Sequence, residues 1–184
     1  MARVTFTNEQ KATGKELEAY LELKNKGKLT NMKEALLLDY ATYDAYMGWY
    51  TSWNRLVEVI GERVATVYAH SISTTNSCQL CSLFFISDLK ALGIEPSEFQ
   101  PTGTEALLAQ LGEQIVKDPT AVSDELFAQL KEIYSDEEIV VIVGFAGQMI
   151  ATNNFNSVLK IDVDKRLLPI KEEFKPATWR ENIQ

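Results

Sequence analysis

Apolar positions recur at helical spacing along almost the whole chain, and few segments show the alternation of period two that a strand needs. Residues 8–26 read as a polar helix with Leu17, Tyr20, Leu21 and Lys24 along one side, ended by Gly27. Thr30 or Asn31 caps a second helix from Met32 to about Tyr46 that carries Ala35, Leu36, Leu38 and Asp39, with Gly48 as an interruption. The aromatic residues Tyr43, Tyr46, Trp49, Tyr50 and Trp53 stand close to helical spacing and read as core or subunit interface. A third helix, from Asn54 to about Ile72, has Leu56, Val59, Ile60, Val64, Val67 and Tyr68 as its apolar stripe. Ser73-Thr74-Thr75-Asn76-Ser77 is a run of capping residues and marks a break. The next helix runs through Leu83, Phe84, Ile86, Leu89 and Leu92 and stops at Gly93 and Pro96.

Further on, Thr102 or Thr104 opens a helix through Leu107, Leu108 and Leu111, and Asp118-Pro119 makes a turn. Ser123 caps Glu125 to Tyr134. Ser135 and Glu138 have the spacing of a capping box, which assigns the apolar run from Ile139 to about Phe155 to a long helix in spite of its strand-like Val140-Val141-Ile142-Val143. The fold class expected is all-α, a single domain over 1–184. Residues 1–29 are a polar N-terminal helical arm, and 165–184 are a charged C-terminal tail with Pro169 and Pro176.

Composition adds exclusions. A net charge of −8 argues against a nucleic-acid surface, because phosphate contacts need clustered Lys and Arg. No apolar run reaches the ~18 residues of a membrane span, and Met1 to Phe6 lacks the form of a signal peptide, so the expected location is the cytoplasm. In that compartment a C-x-x-C pair is more often redox-active or metal-binding than a structural staple. Metal is the weaker reading: a closed zinc site takes four ligands, and the chain has two cysteines and one histidine. No cofactor is implied.

Cys78 and Cys81 fall on one face of a helix, in its first turns. Free N–H groups and the positive end of the helix dipole favour an anion there, which lowers a thiol's pKa and raises its reactivity. One sulfur oxidised to sulfenic acid and a second beside it that closes a disulfide would complete a two-electron cycle. The bland alternative is two small apolar residues packed in a core.

Glu62-Arg63-Val64-Ala65 followed by Cys78-Gln79-Leu80-Cys81 resembles the signature helix pair of the alkylhydroperoxidase D-like and carboxymuconolactone decarboxylase proteins. The stretch from Gly144 to Asn156 is similar to that family's long helix ending in N-x-x-N, and Gly27 to Lys33 with Trp49-Tyr50 also looks like family members. The resemblance spans about Gly27 to Asp164, with C-x-x-C its most specific part. It implies an all-helical bundle, a homo-oligomer (trimer, hexamer or dimer), a hydroperoxide substrate and a thiol or disulfide reductant. It also implies that Cys81 is the sulfur oxidised to sulfenic acid and Cys78 the partner that gives a proton and closes the disulfide. The family's peroxidase branch activates the thiol with a glutamate and a histidine. Thr66 and Phe85 stand at those two positions here, so that relay is missing.

Glu62, Thr66 and His70 form one ridge of a helix, and His70 is the only histidine. It is the candidate substitute for the relay, acting through Thr66 or a water; otherwise it is a helix residue bonded to a carbonyl, and Glu62 a solvated one. Tyr68 and Ser77 are candidate hydrogen-bond partners of a sulfur, and Phe85 is expected to dry the pocket and raise thiol pKa. Asn153 and Asn156 read as structural residues of the last helical turn. The function expected is a thiol-dependent peroxidase or disulfide oxidoreductase. The alternatives are a non-redox lyase using His70 with Arg55 or Arg63, and an oligomeric thiol sensor with weakened catalysis.

Overall fold

A computed structural model describes residues 1–182. They form eight α-helices joined by turns and three short 3-10 segments, with no strand among the described residues: α1 (Gly14–Asn25), α2 (Asn31–Leu36), α3 (Tyr40–Ile60), α4 (Glu62–Thr75), α5 (Gln79–Ala91), α6 (Thr104–Lys117), α7 (Asp124–Ile133) and α8 (Asp136–Leu159). The all-α expectation holds. Several helix starts follow local chemistry. The hydroxyls of Thr30 and Ser123 accept from the N–H groups of Lys33 and Leu126, and Ser135 and Glu138 make the reciprocal capping box that opens α8.

Other boundaries differ from the sequence reading. The helix expected from Met32 to Tyr46 is broken at Leu37–Asp39, where Asp39 becomes an N-cap by accepting from the Thr42 N–H at 2.8 Å. The continuing helix α3 passes through Gly48 without interruption and ends only at Gly61, whose φ of +80° lies in the region open to glycine. The third and fourth expected helices are thereby redrawn: α3 absorbs residues 54–60, and α4 starts at Glu62. Ser73, Thr74 and Thr75 belong to α4, so the capping run expected to start the next helix mostly finishes the preceding one. The N-terminal arm is non-helical before Thr13, and α1 docks through Tyr20 and Leu23 onto Leu37.

The core is built around α4. Its Ala65, Tyr68, Ala69 and Ile72 are fully buried, and α3, α5, α6 and α8 surround it. The small Gly112 lets α6 approach closely: a β-carbon there would lie 2.6 Å from Ser71 Oγ and 2.9 Å from Ile72 Cγ1. The aromatic residues of α3 enter this core partly, with Trp49 and Trp53 stacked at 5.3 Å and both against Phe145 of α8. By length and composition α8 is apolar enough to cross a membrane, with a mean hydropathy of 1.2 over its most apolar window. Here α8 packs on α3 and α4 and buries Thr152, Asn153 and Asn156.

Candidate functional site

The two cysteines lie at the junction of α4 and α5. The end of α4 is closed by two hydrogen bonds, Ser77 N–H to Thr74 O (2.9 Å) and Cys78 N–H to Ser73 O (3.0 Å), with Ser77 in the left-handed conformation. Cys78 then serves as the N-cap of α5, where its Sγ accepts from the Cys81 N–H at 3.3 Å. The sulfur thus takes the place of the serine or threonine oxygen common at this position. Both cysteines are free thiols, 1% and 4% exposed.

Their surroundings separate the two sulfurs. Cys78 is held below the ordinary thiol pKa, first by the hydrogen bond from the Cys81 thiol, then by the Cys81 N–H, the Ser157 hydroxyl and the Asn156 amide, against the opposing effect of burial. Cys81 is pushed well above it by burial, by its hydrogen bond to Cys78 and by the charge on Cys78. Asn156 Nδ2 lies 3.2 Å from Cys81 Sγ and donates to it. The surroundings therefore favour ionisation of Cys78 over Cys81, whereas the family resemblance implied Cys81 as the sulfur that is oxidised.

Each sulfur borders its own cavity. Cys78 lines one of about 520 Å³ with Ser77, Asn156, Ser157, Lys160 and Lys171. Cys81 lines one of about 1310 Å³ on the other side, walled by Trp49, Trp53, Phe84 and Phe85. Asn156 and Leu80 belong to both walls. The pair is buried without being sealed in mid-helix.

The candidate relay residues do not all meet there. Thr66 and Glu62 line the Cys81 cavity, but the Thr66 hydroxyl donates to the Glu62 backbone carbonyl at 2.8 Å. His70 borders neither cavity. Its Nε2 pairs with Thr74 Oγ1 at 3.3 Å, and Thr74 in turn reaches Ser82 Oγ at 3.4 Å. Among the described residues no hydrogen bond joins His70 to Thr66 or to a sulfur. Burial also lowers its pKa to about 4, away from the neutral range that made it attractive. Tyr68 is no pocket residue either: it is wholly buried, and its hydroxyl donates to the Ile142 carbonyl at 3.2 Å. Phe85 is buried, lines the Cys81 cavity and lies against Trp53. Arg55 and Arg63, the cations considered for a lyase, are tied in surface ion pairs with Glu58 and Glu137, and with Glu105.

His70 gives a pH test. The unfolded chain protonates it from its ordinary value of 6.5 downward, whereas the folded chain resists until about 4. The wild type should therefore lose stability over this window relative to His70→Gln, by about 1–2 kcal/mol after allowance for partial exposure. Urea unfolding at pH 7.5 and 4.5 measures it, and equal pH dependence in the two proteins would refute the burial of a neutral ring.

Sequence reasoning missed three contributors. Asn156 was read as structural and is a donor to the site; its N-x-x-N spacing was the available signal. Ser157 and Lys160 carry none. The C-terminal tail also reaches the junction: Ala177 N–H donates to Ser77 Oγ (3.1 Å), Trp179 Nε1 to the Thr75 carbonyl (2.8 Å) and Arg180 Nη2 to Asn76 Oδ1 (2.8 Å). No cluster of three or more potential metal ligands exists among the described residues. Comparison with protein-family models, with curated proteins and with solved structures gave no match.

Proposed function

We propose that this chain is a thiol-dependent peroxidase or dithiol–disulfide oxidoreductase, alkylhydroperoxidase D-like in kind, with Cys78 as the attacking sulfur and Cys81 as its resolving partner. The observation that carries the reading is the capping role of Cys78, whose sulfur receives the Cys81 N–H while the Cys81 thiol lies against it. In the peroxidase form, the Cys78 thiolate attacks the terminal oxygen of a hydroperoxide. The O–O bond breaks, Cys78 becomes a sulfenic acid, and the alkoxide leaves and takes a proton from solvent. The Cys81 thiol then displaces the hydroxyl, releasing water and closing the disulfide. An external dithiol resets the pair. A thiol already favoured as thiolate by fixed hydrogen bonds has less need of the glutamate–histidine relay that Thr66 and Phe85 replace.

The same proposal assigns the protein to a reducing compartment, the cytoplasm, and to a homo-oligomer. Support for the assembly comes from α8, whose outward side exposes Val140, Val143 and Val158 around Gly144 and Gly147.

Peroxide treatment in the presence of a dimedone-type probe tests the chemistry. With Cys81→Ser, the adduct should form on Cys78. An adduct on Cys81 in Cys78→Ser, with none on Cys78 in the first variant, would restore the roles implied by resemblance. Peroxide consumption indifferent to both substitutions would end the redox reading. The burial of both sulfurs favours a second reading, a slow thiol sensor, which the same experiment recognises by adduct formation without turnover.

A further inference from the structure

Among the described residues, only Ser77 (φ 58°) and Lys160 (φ 50°) are non-glycine residues in the left-handed region. Both line the cavity of Cys78. Each closes a helix by the same pair of bonds, those at Lys160 being Lys160 N–H to Ser157 O (3.3 Å) and Ile161 N–H to Asn156 O (3.0 Å). Glycine is the usual residue at such a position because it has no β-carbon to crowd. Strained positions that cluster at one cavity point to a use for their side chains.

The side chain at Lys160 is an ammonium, and Lys171 brings a second one to the same cavity. Neither lysine is ion-paired among the described residues. The one carboxylate in the lining, Asp162, is engaged by the Ala2 N–H (3.3 Å) and the Met1 amino group (3.4 Å). In a chain of net charge −8, the lining of the Cys78 cavity thus carries two exposed cations with no ion-pair partner among the described residues. The volume, about 520 Å³, lies within the roughly 300–1,000 Å³ of small-molecule sites.

We propose that the Cys78 cavity binds a small, carboxylate-bearing disulfide as redox partner of the thiol pair, with Lys160 and Lys171 holding its carboxylates. The inference rests on the thiol chemistry above and names the substrate class of that site. The Cys78 thiolate attacks one sulfur of the bound disulfide, and one thiolate leaves. Cys81, losing its proton to solvent, then attacks Cys78 and expels the second thiolate. Two protein thiols are oxidised to a disulfide, and one external disulfide is reduced to two thiols.

The test compares two disulfides on the reduced protein: 5,5′-dithiobis(2-nitrobenzoate), a dianion, and 2,2′-dithiodipyridine, which is neutral. Their rate ratio is normalised to that of 2-mercaptoethanol. The normalised ratio should exceed unity by about tenfold at low ionic strength and fall toward unity in 0.5 M salt. It should also collapse in Lys160→Gly and Lys171→Glu, while neutral iodoacetamide still alkylates Cys78. Lys160→Gly places the preferred residue in a left-handed position, so its backbone is not at risk. A lysine at a helix end also answers the helix dipole, but that role moves stability and not a charge-selectivity ratio. A ratio near unity, untouched by salt and by both substitutions while iodoacetamide still labels Cys78, overturns this inference alone. A Cys78 inert to all three reagents overturns the thiol chemistry as well.

Discussion

Gly112→Val should lower the unfolding free energy by about 3 kcal/mol, a fall of roughly 6–12 °C in Tm for a chain of this size. Gly112 is buried on α6 against the middle of α4, and a single β-carbon would already meet Ser71 Oγ at 2.6 Å, Ile72 Cγ1 at 2.9 Å and Tyr68 Cε2 at 3.2 Å. Ile72 and Tyr68 are themselves fully buried, so they have little room in which to yield. Ser71 is held by its own bond to the Tyr68 carbonyl at 2.8 Å. The γ-methyls of valine drive further into the same space. The intrinsic gain from replacing a helical glycine is at most about 1 kcal/mol and cannot offset the overlap. Gly144→Ala is the control. Nothing lies within 4 Å of its added β-carbon, so filling this helical glycine on α8 should leave stability unchanged or raise it by up to about 1 kcal/mol. Thermal unfolding of the two variants compares them directly. A Gly112→Val protein as stable as wild type would mean that α4 and α6 are not in the close contact described.

Local signals in the sequence located most helix starts and were blind to what lies across the fold. The Ser135–Glu138 box and the Ser123 and Thr30 caps were legible because donor and acceptor are three residues apart. Asp39 is equally local, but the apolar periodicity of Ala35, Leu36 and Leu38 concealed it: Leu37 is buried with α1, and Leu38 points outward at the break. Gly61 was read through because Val59, Ile60 and Val64 continue the stripe across it. The cysteine pair was legible as a thiol pair at a helix start. Which sulfur is the more acidic was not, because burial is what raises Cys81 most and burial comes from packing across the fold, with smaller contributions from Asn156 and Ser157, more than seventy residues further along the chain. His70 failed for the same reason. Its place on the ridge with Thr66 and its pairing with Thr74 are properties of one helix, whereas its burial comes from the packing around that helix.

Asn156→Leu should slow disulfide closure by about ten- to a hundredfold while leaving stability unchanged or slightly higher. The Asn156 amide donates to Cys81 Sγ and to Met32 Sδ, both at 3.2 Å, and it also helps hold Cys78 low. When Cys81 attacks, its sulfur must carry negative charge in a site where burial pushes its pKa up, and Asn156 is the side chain that opposes this rise. A hydrogen bond to a charged group contributes about 1.5–3 kcal/mol, which sets the expected loss in rate. Stability behaves differently because the Asn156 Oδ1 atom is buried without a partner. Exchanging the amide for a similar-sized apolar side chain removes that unsatisfied acceptor together with the donor. Asn156→Asp should be worse in both respects, since it sets a carboxylate beside two sulfurs that must ionise in turn. The decay of probe-reactive sulfenic acid on Cys78 after a peroxide pulse reports the closure rate, and urea unfolding reports stability. If Asn156→Leu lost stability in proportion to rate, the amide would be a structural prop. A rate loss at constant stability identifies it as the group that makes the second sulfur able to react.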